Sequence, residues 1–137
     1  MSRTSGSNSV VFITDVDYRI DELGEEFMEK YIETRRAILE RLGIRLIEAL
    51  YRPSPSGRGL HFWWHCEVDG ELSDEDVNNI QLLLGDDVTR WWINRLRIMF
   101  GMSGMWNKCF SLAERRRSER CDRCRIVKYL REIKGSK

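Results

Sequence analysis

An α+β fold is what this sequence predicts, and three observations predict it. A β-branched, aromatic run (SVVFITDVDY) precedes a long stretch with apolar residues at helical spacing. Two further extended runs then flank a turn rich in proline and glycine, and two more helical stretches follow. A helix after strand one and a hairpin of strands two and three give the ferredoxin-like, RRM-like β-α-β-β-α plan, with additional helices towards the C-terminus. With 137 residues, 42% of them hydrophobic, the chain suits one domain with a substantial core.

Each element has a local reason. Strand one is expected near Val10 to Asp15. In ELGEEFMEKYIETRRAILERLG, the residues Phe27, Met28, Tyr31, Ile32, Ile38, Leu39 and Leu42 form one stripe, and Gly43 is a natural stop. IRLIEALYR and GLHFWWHCEV are strands two and three, around a turn holding Pro53, Pro55 and Gly57. SDEDVNNIQLLLG begins at a capping box, Ser73 with Asp76, and stops at Gly85. DDVTRWWINRLRIMFG carries a second helical stripe through Val88, Trp91, Trp92, Leu96 and Met99. MWNKCFSL is a candidate fourth strand, and the segment from about Ala113 to Lys134 reads as a charged helix. The expected division is a polar tail at 1–8, the folded unit at 9–112 and a basic helical arm at 113–137.

No run approaches the roughly 20 apolar residues of a membrane span. The start, MSRTSGSNS, has no apolar core of a secretory signal. The expectation is an intracellular protein, cytoplasmic or otherwise, neither secreted nor in a membrane. Its four cysteines are then thiols or metal ligands rather than disulfides.

The net charge of +1 hides an asymmetry: from Asn107 onward eleven Lys/Arg stand against four Asp/Glu, about +7, leaving about −6 for the rest. An acidic body with a basic arm fits an anionic partner, nucleic acid first. On a helix, Arg115, Arg116, Arg117, Arg120, Arg123 and Arg125 would surround nearly every side, which favours phosphate contact over base reading.

The sequence TDVD sets Asp15 and Asp17 on one face of a strand end. Two carboxylates that close repel each other and resist burial. A divalent cation relieves both costs, and hard oxygen donors suit Mg²⁺ or Mn²⁺. The plainer reading is two exposed acids opening a loop. SPSGRGLH supplies small residues, Ser56 among them, whose backbone N–H groups can approach an anion. Arg58 adds a guanidinium fork suited to phosphate, and His61 opens strand three as a further donor. A hairpin alone explains the prolines and glycines but leaves Arg58 and His61 unassigned.

Together these residues resemble the archaeo-eukaryotic primase superfamily, the primase-polymerases. VVFITDVD is similar to that family's first motif, an apolar strand ending in Asp-x-Asp or Asp-x-Glu. SPSGRGLHFWW is similar to its second, a small-residue turn leading to a strand histidine. The resemblance covers roughly residues 9–110. It implies a catalytic palm in which Asp15 and Asp17 bind the catalytic metals and His61 contacts the triphosphate of the incoming nucleotide. The family's third motif is a later acidic residue. Asp86 and Asp87 in LLLGDDVTRWW are the candidates, in what reads as a helix start, where acids also favour the helix dipole. The implied function is DNA or RNA nucleotidyl transfer in replication. The implied partners are nucleoside triphosphate, single-stranded or primer–template nucleic acid, and a larger replication subunit.

The alternative is a non-catalytic, inactivated palm that binds nucleic acid. Trp63, Trp64, Trp91 or Trp92 would then stack on bases, against the plainer expectation that most of them fill the core. Cys121-x-x-Cys124 with Cys109 gives three thiols, and Cys66 or His65 would be the fourth ligand of a Zn²⁺ site. This is half of a zinc motif, and the plainer reading is two cysteines sharing a helix face. A histidine-metal endonuclease is disfavoured, because His61 and His65 would stand about 13 Å apart along a strand.

Overall fold

A computed structural model describes residues 7–102, 106–107 and 127–131. Strand β1 (Ser7–Val16) leads through a short 3-10 turn to helix α1 (Glu25–Arg41). Strands β2 (Arg45–Pro53) and β3 (Leu60–Asp69), helices α2 (Asp74–Leu83) and α3 (Val88–Met99), and strand β4 (Val127–Arg131) follow. The fold is α+β: an antiparallel β1-β3-β2 sheet flanked by helices in a ferredoxin-like order, with β4 added beside β2. Strands β1 and β3 are neighbours, with β1 at an edge of the sheet and β3 inside it.

Two boundaries differ from the sequence expectation. The first strand begins at Ser7, inside the expected tail. Residues 127–131, expected as part of a charged helix, form β4. Val, Tyr and Leu favour a pleated strand, and the edge of β2 offers backbone groups to pair with. Of the candidate strand MWNKCFSL, Trp106 and Asn107 lie outside any strand, and the rest falls outside the described residues.

The core lies between the sheet and the helices. Phe12 and Trp64 pair across β1 and β3, as do Thr14 and Phe62. All four are fully buried, and the Trp64 indole N–H donates to Thr14 Oγ1 at 3.0 Å. Phe62 stacks on Trp64 at 5.0 Å, and Tyr31 of α1 closes on Phe62 at 5.6 Å. Met28, Ile32 and Leu39 are the buried side of the α1 stripe, while Phe27 and Leu42 at its margins are exposed. Each buried aromatic or aliphatic side chain contributes about 1.5–3 kcal/mol.

The turns ending α1 and α2 share one construction. After α1, the N–H of Gly43 donates to Glu40 O and that of Ile44 to Leu39 O. After α2, Gly85 donates to Leu82 O and Asp86 to Gln81 O. These are paired C-terminal caps around a left-handed residue, and Gly43 (φ 80°) and Gly85 (φ 107°) supply it. The second cap delivers Asp86 to the edge of β1 and leaves Asp87 as N-cap of α3, accepting from the Arg90 N–H at 3.0 Å.

Helix α3 reverses the expected burial. Its apolar stripe predicts a core-facing side, yet Val88, Trp92 and Met99 are exposed, while Arg90 and Asn94 are buried. The reason lies in β1. As an edge strand it presents backbone groups away from β3, and buried backbone groups need partners. Gln81 Oε1 accepts the Ile13 N–H at 2.8 Å, Asp86 Oδ1 accepts the Asp15 N–H at 2.9 Å, and Arg90 Nη1 donates to Ile13 O at 3.1 Å. Polar side chains of α2, α3 and the turn between them thus stand where a neighbouring strand would. Asn107 completes the cluster, bonding Gln81 through both amide atoms and accepting from Arg90 at 2.8 Å. Between the two helices, Asn94 donates to Asn78 Oδ1, and Asn78 donates to Trp91 O.

Candidate functional site

The site is built where β1 ends and β3 begins. Asp15 pairs with His61 across β1 and β3, and Arg52 pairs with His61 across β2 and β3. Directly opposed residues share a face, so carboxylate, imidazole and guanidinium stand in one row across three strands. His61 Nε2 is 3.7 Å from Asp15 Oδ1. Asp17 lies just past the strand end and is exposed. The structure therefore brings Asp15 and His61 together, with Asp17 next along the chain.

The hairpin turn is held against this strand end by Gly59. A Cβ there would lie 2.2 Å from Val16 O and 3.3 Å from the backbone of Asp17, so no other residue fits without moving one strand. Within the turn, Ser54 N–H donates to Gly59 O and Gly57 N–H to Ser54 O, both at 2.9 Å. The amides of Arg58 and Gly59 donate to the hydroxyls of Ser56 and Ser54, each at 3.2 Å. The expectation of backbone amides open to an anion is thereby corrected: those four are engaged inside the turn. What the loop presents outward is the Arg58 side chain and the serine hydroxyls, with Ser56 and Arg58 exposed.

Burial, then the carboxylates of Asp17, Asp86 and Asp87, push the Asp15 carboxyl up to about 6, against the pull of Arg90. Burial, then the guanidiniums of Arg52 and Arg90, push the His61 imidazole down to about 3. At neutral pH His61 is neutral, and its approach to Asp15 is not an ion pair. Burial also raises the Asp86 carboxyl, and Arg90, 2.7 Å away, opposes it.

The two candidates for a third acidic ligand are both engaged. Asp86 binds the Asp15 amide and Arg90, and Asp87 caps α3. Among the described residues no group of three His, Cys, Asp or Glu side chains is arranged to hold a metal. Cys66 is buried, pairs with Val10 and Leu46, and has its thiol pushed up to about 12, which disfavours the thiolate that zinc needs. Cys109, Cys121, Cys124 and Arg115, Arg116, Arg117, Arg120, Arg123 and Arg125 lie outside the described residues. Among the described residues no helix is long and apolar enough to cross a membrane.

Sequence reasoning missed Arg52 and Arg90. Counting outward from the hairpin turn would have set Arg52 opposite His61, and the i, i+4 spacing of Asp86 and Arg90 marks a helix-face pair. Gln81 and Asn107 carry no such signal, because Gln81 closes a strand edge from a distant helix and Asn107 braces Gln81 and Arg90 from beyond α3. Comparison with protein-family models, with curated proteins and with solved structures finds no match.

Proposed function

We propose that the chain is a divalent-metal-dependent nucleotidyltransferase of the primase-polymerase kind, acting in nucleic-acid replication. The observation that carries this reading is the cross-strand pairing of Asp15 with His61, with Asp17 beside the turn that Gly59 presses against it. Two carboxylates are enough protein ligands for Mg²⁺ or Mn²⁺, which keep waters and share substrate phosphates. Burial first and the neighbouring carboxylates second disfavour the Asp15 anion, and a bound cation would relieve both costs. Asp15 and Asp17 would hold the ion, whose chemistry is to stabilise the entering and leaving oxygens in phosphoryl transfer.

The reaction joins a 3′ hydroxyl to the α-phosphate of a nucleoside triphosphate and releases pyrophosphate. His61 orients the triphosphate as a neutral N–H donor, a state its surroundings enforce. Arg58 and the Ser56 hydroxyl reach the same phosphates from the turn, and the arginines of the 113–137 segment grip the template backbone. A larger subunit would complete the replication assembly.

One observation favours the alternative, a non-catalytic nucleic-acid-binding palm: Asp86 is engaged by Arg90 and the Asp15 amide, which leaves two carboxylates where the family resemblance implies three. Nucleotide incorporation on a primed template with Mn²⁺ or Mg²⁺ separates the two. The enzyme reading expects incorporation that Asp15→Asn with Asp17→Asn abolishes and His61→Ala weakens through nucleotide affinity. Template binding with no incorporation under either metal overturns it in favour of the binding module.

A further inference from the structure

The outer face of α3 has an unusual composition for a surface. Val88, Trp92, Arg95 and Met99 share one side of the helix, opposite the buried Arg90 and Asn94. Trp92 is 48% exposed, and Phe100, just past the helix end, is 79% exposed. The Arg95 guanidinium lies 5.4 Å from the Trp92 ring centroid, and its Nη1 lies 3.1 Å from Met99 Sδ. The neighbouring Trp91 is tied to α2 through Asn79 at 3.0 Å, which leaves Trp92 as the outward ring of the pair. From Val88 to Asn107 the chain carries three arginines and no Asp or Glu.

Charge decides what such a face fits. A cationic, acid-free surface bearing flat aromatic rings complements a ligand with negative charge on its backbone and π-faces on its side groups. Of these arginines Arg95 is the one beside Trp92, and a second copy of this chain would bring a second Arg95 against the first, with no acid between Val88 and Asn107 of either copy to receive it. We propose that this face is a stacking platform for single-stranded nucleic acid, on which Trp92 and Phe100 receive bases and Arg95 receives phosphate. The proposal rests on the nucleic-acid reading above and adds a location to it. The opposite side of α3 touches the β1 end through Arg90, so the platform stands about one helix diameter, roughly 10 Å, from the Asp15 strand end.

Binding of the full chain to a 20-nucleotide oligo(dT) tests it, measured by anisotropy in buffer containing EDTA. Trp92→Ala is expected to weaken binding by about tenfold or more, and Trp92→Phe to retain most of it, because a ring still stacks. Arg95→Gln is expected to lower the slope of log affinity against log salt by about 0.7. Unchanged affinity in Trp92→Ala and Arg95→Gln overturns the platform. So does a wild-type dimer in sedimentation that Trp92→Ala turns into a monomer without loss of oligonucleotide affinity. If the alanine variant fails to fold, the salt slope of Arg95→Gln decides alone. Chelated metal keeps the measurement apart from catalysis: an inactive protein that binds oligo(dT) through Trp92 removes the transferase reading and leaves the platform standing.

Discussion

Asp86 Oδ1 accepts the backbone N–H of Asp15 at 2.9 Å, while Arg90 holds the other carboxylate oxygen at 2.7 Å. Asp86→Ala therefore leaves a buried guanidinium without its counter-charge and an edge amide without its acceptor. The expected loss is about 3–5 kcal/mol, read as a lower urea midpoint. Asp86→Asn keeps an acceptor for the amide and should fall between the two. An alanine variant as stable as the wild type would mean that the pair is not formed in solution.

Gly59→Ala is expected to lower stability by about 1–3 kcal/mol, because the added methyl meets backbone rather than a mobile side chain. The same change pushes the serine–arginine turn away from Asp17, so nucleoside triphosphate affinity should drop as well. Full nucleotide affinity in a folded Gly59→Ala protein would separate the turn from the site.

His61 and Asp15 give opposite pH slopes. His61 is held neutral down to about 3, so the unfolded chain takes up its proton first, and stability is lost as pH falls from about 6.5 towards 3. Asp15 titrates at about 6 when folded, above its ordinary 3.8, so its penalty is complete above pH 6, fades as pH falls from 6 towards 4 and is gone below that. In metal-free buffer Asp15→Asn should raise stability at pH 7.5 by roughly 2 kcal/mol and change little at pH 4. His61→Gln should flatten the acid limb. Thermal melts across pH 4–8 check both, and an Asp15→Asn protein no more stable than wild type at pH 7.5 would contradict the burial and carboxylate crowding that raise the Asp15 carboxyl.

Truncation after Leu112 removes β4 together with the arginines, and with β4 the pairing to Glu48, Ala49, Leu50 and Tyr51. The shortened chain should therefore self-associate through an uncovered β2 edge, visible in sedimentation. Replacing Arg115, Arg116 and Arg117 by Gln isolates the charge effect. It should lower the salt slope of single-strand binding by about 0.7 for each phosphate no longer neutralised. An unchanged slope would make those arginines a solvated surface.

Elements set by local chemistry were legible in the sequence. The Ser73 cap, the glycine stops and the hairpin turn follow from side chains acting on their own backbone neighbours. Asp15 and His61 were each legible as strand-end residues. Helix α3 was not legible, because periodicity tells which face is apolar and not which face is inside. Arg90 was drawn inward by the polar needs of a strand some seventy residues earlier and Asn94 by Asn78 of α2, and nothing local to α3 signals them. The strand at Val127–Arg131 was hidden by the charge around it, since edge strands tolerate charged residues.

The side-chain closure of β1 has a consequence for synthesis. Its bonds span 68, 71 and 77 residues of sequence. At ribosomal rates of about 5–20 residues per second, β1 leaves the ribosome roughly 4–15 s before the groups that close its edge. During that interval the strand is a free template for any extended chain nearby. The nascent protein is thus most exposed to mispairing while α2 and α3 are still being made, and a pause in translation between Asp17 and Asn107 would prolong that exposure.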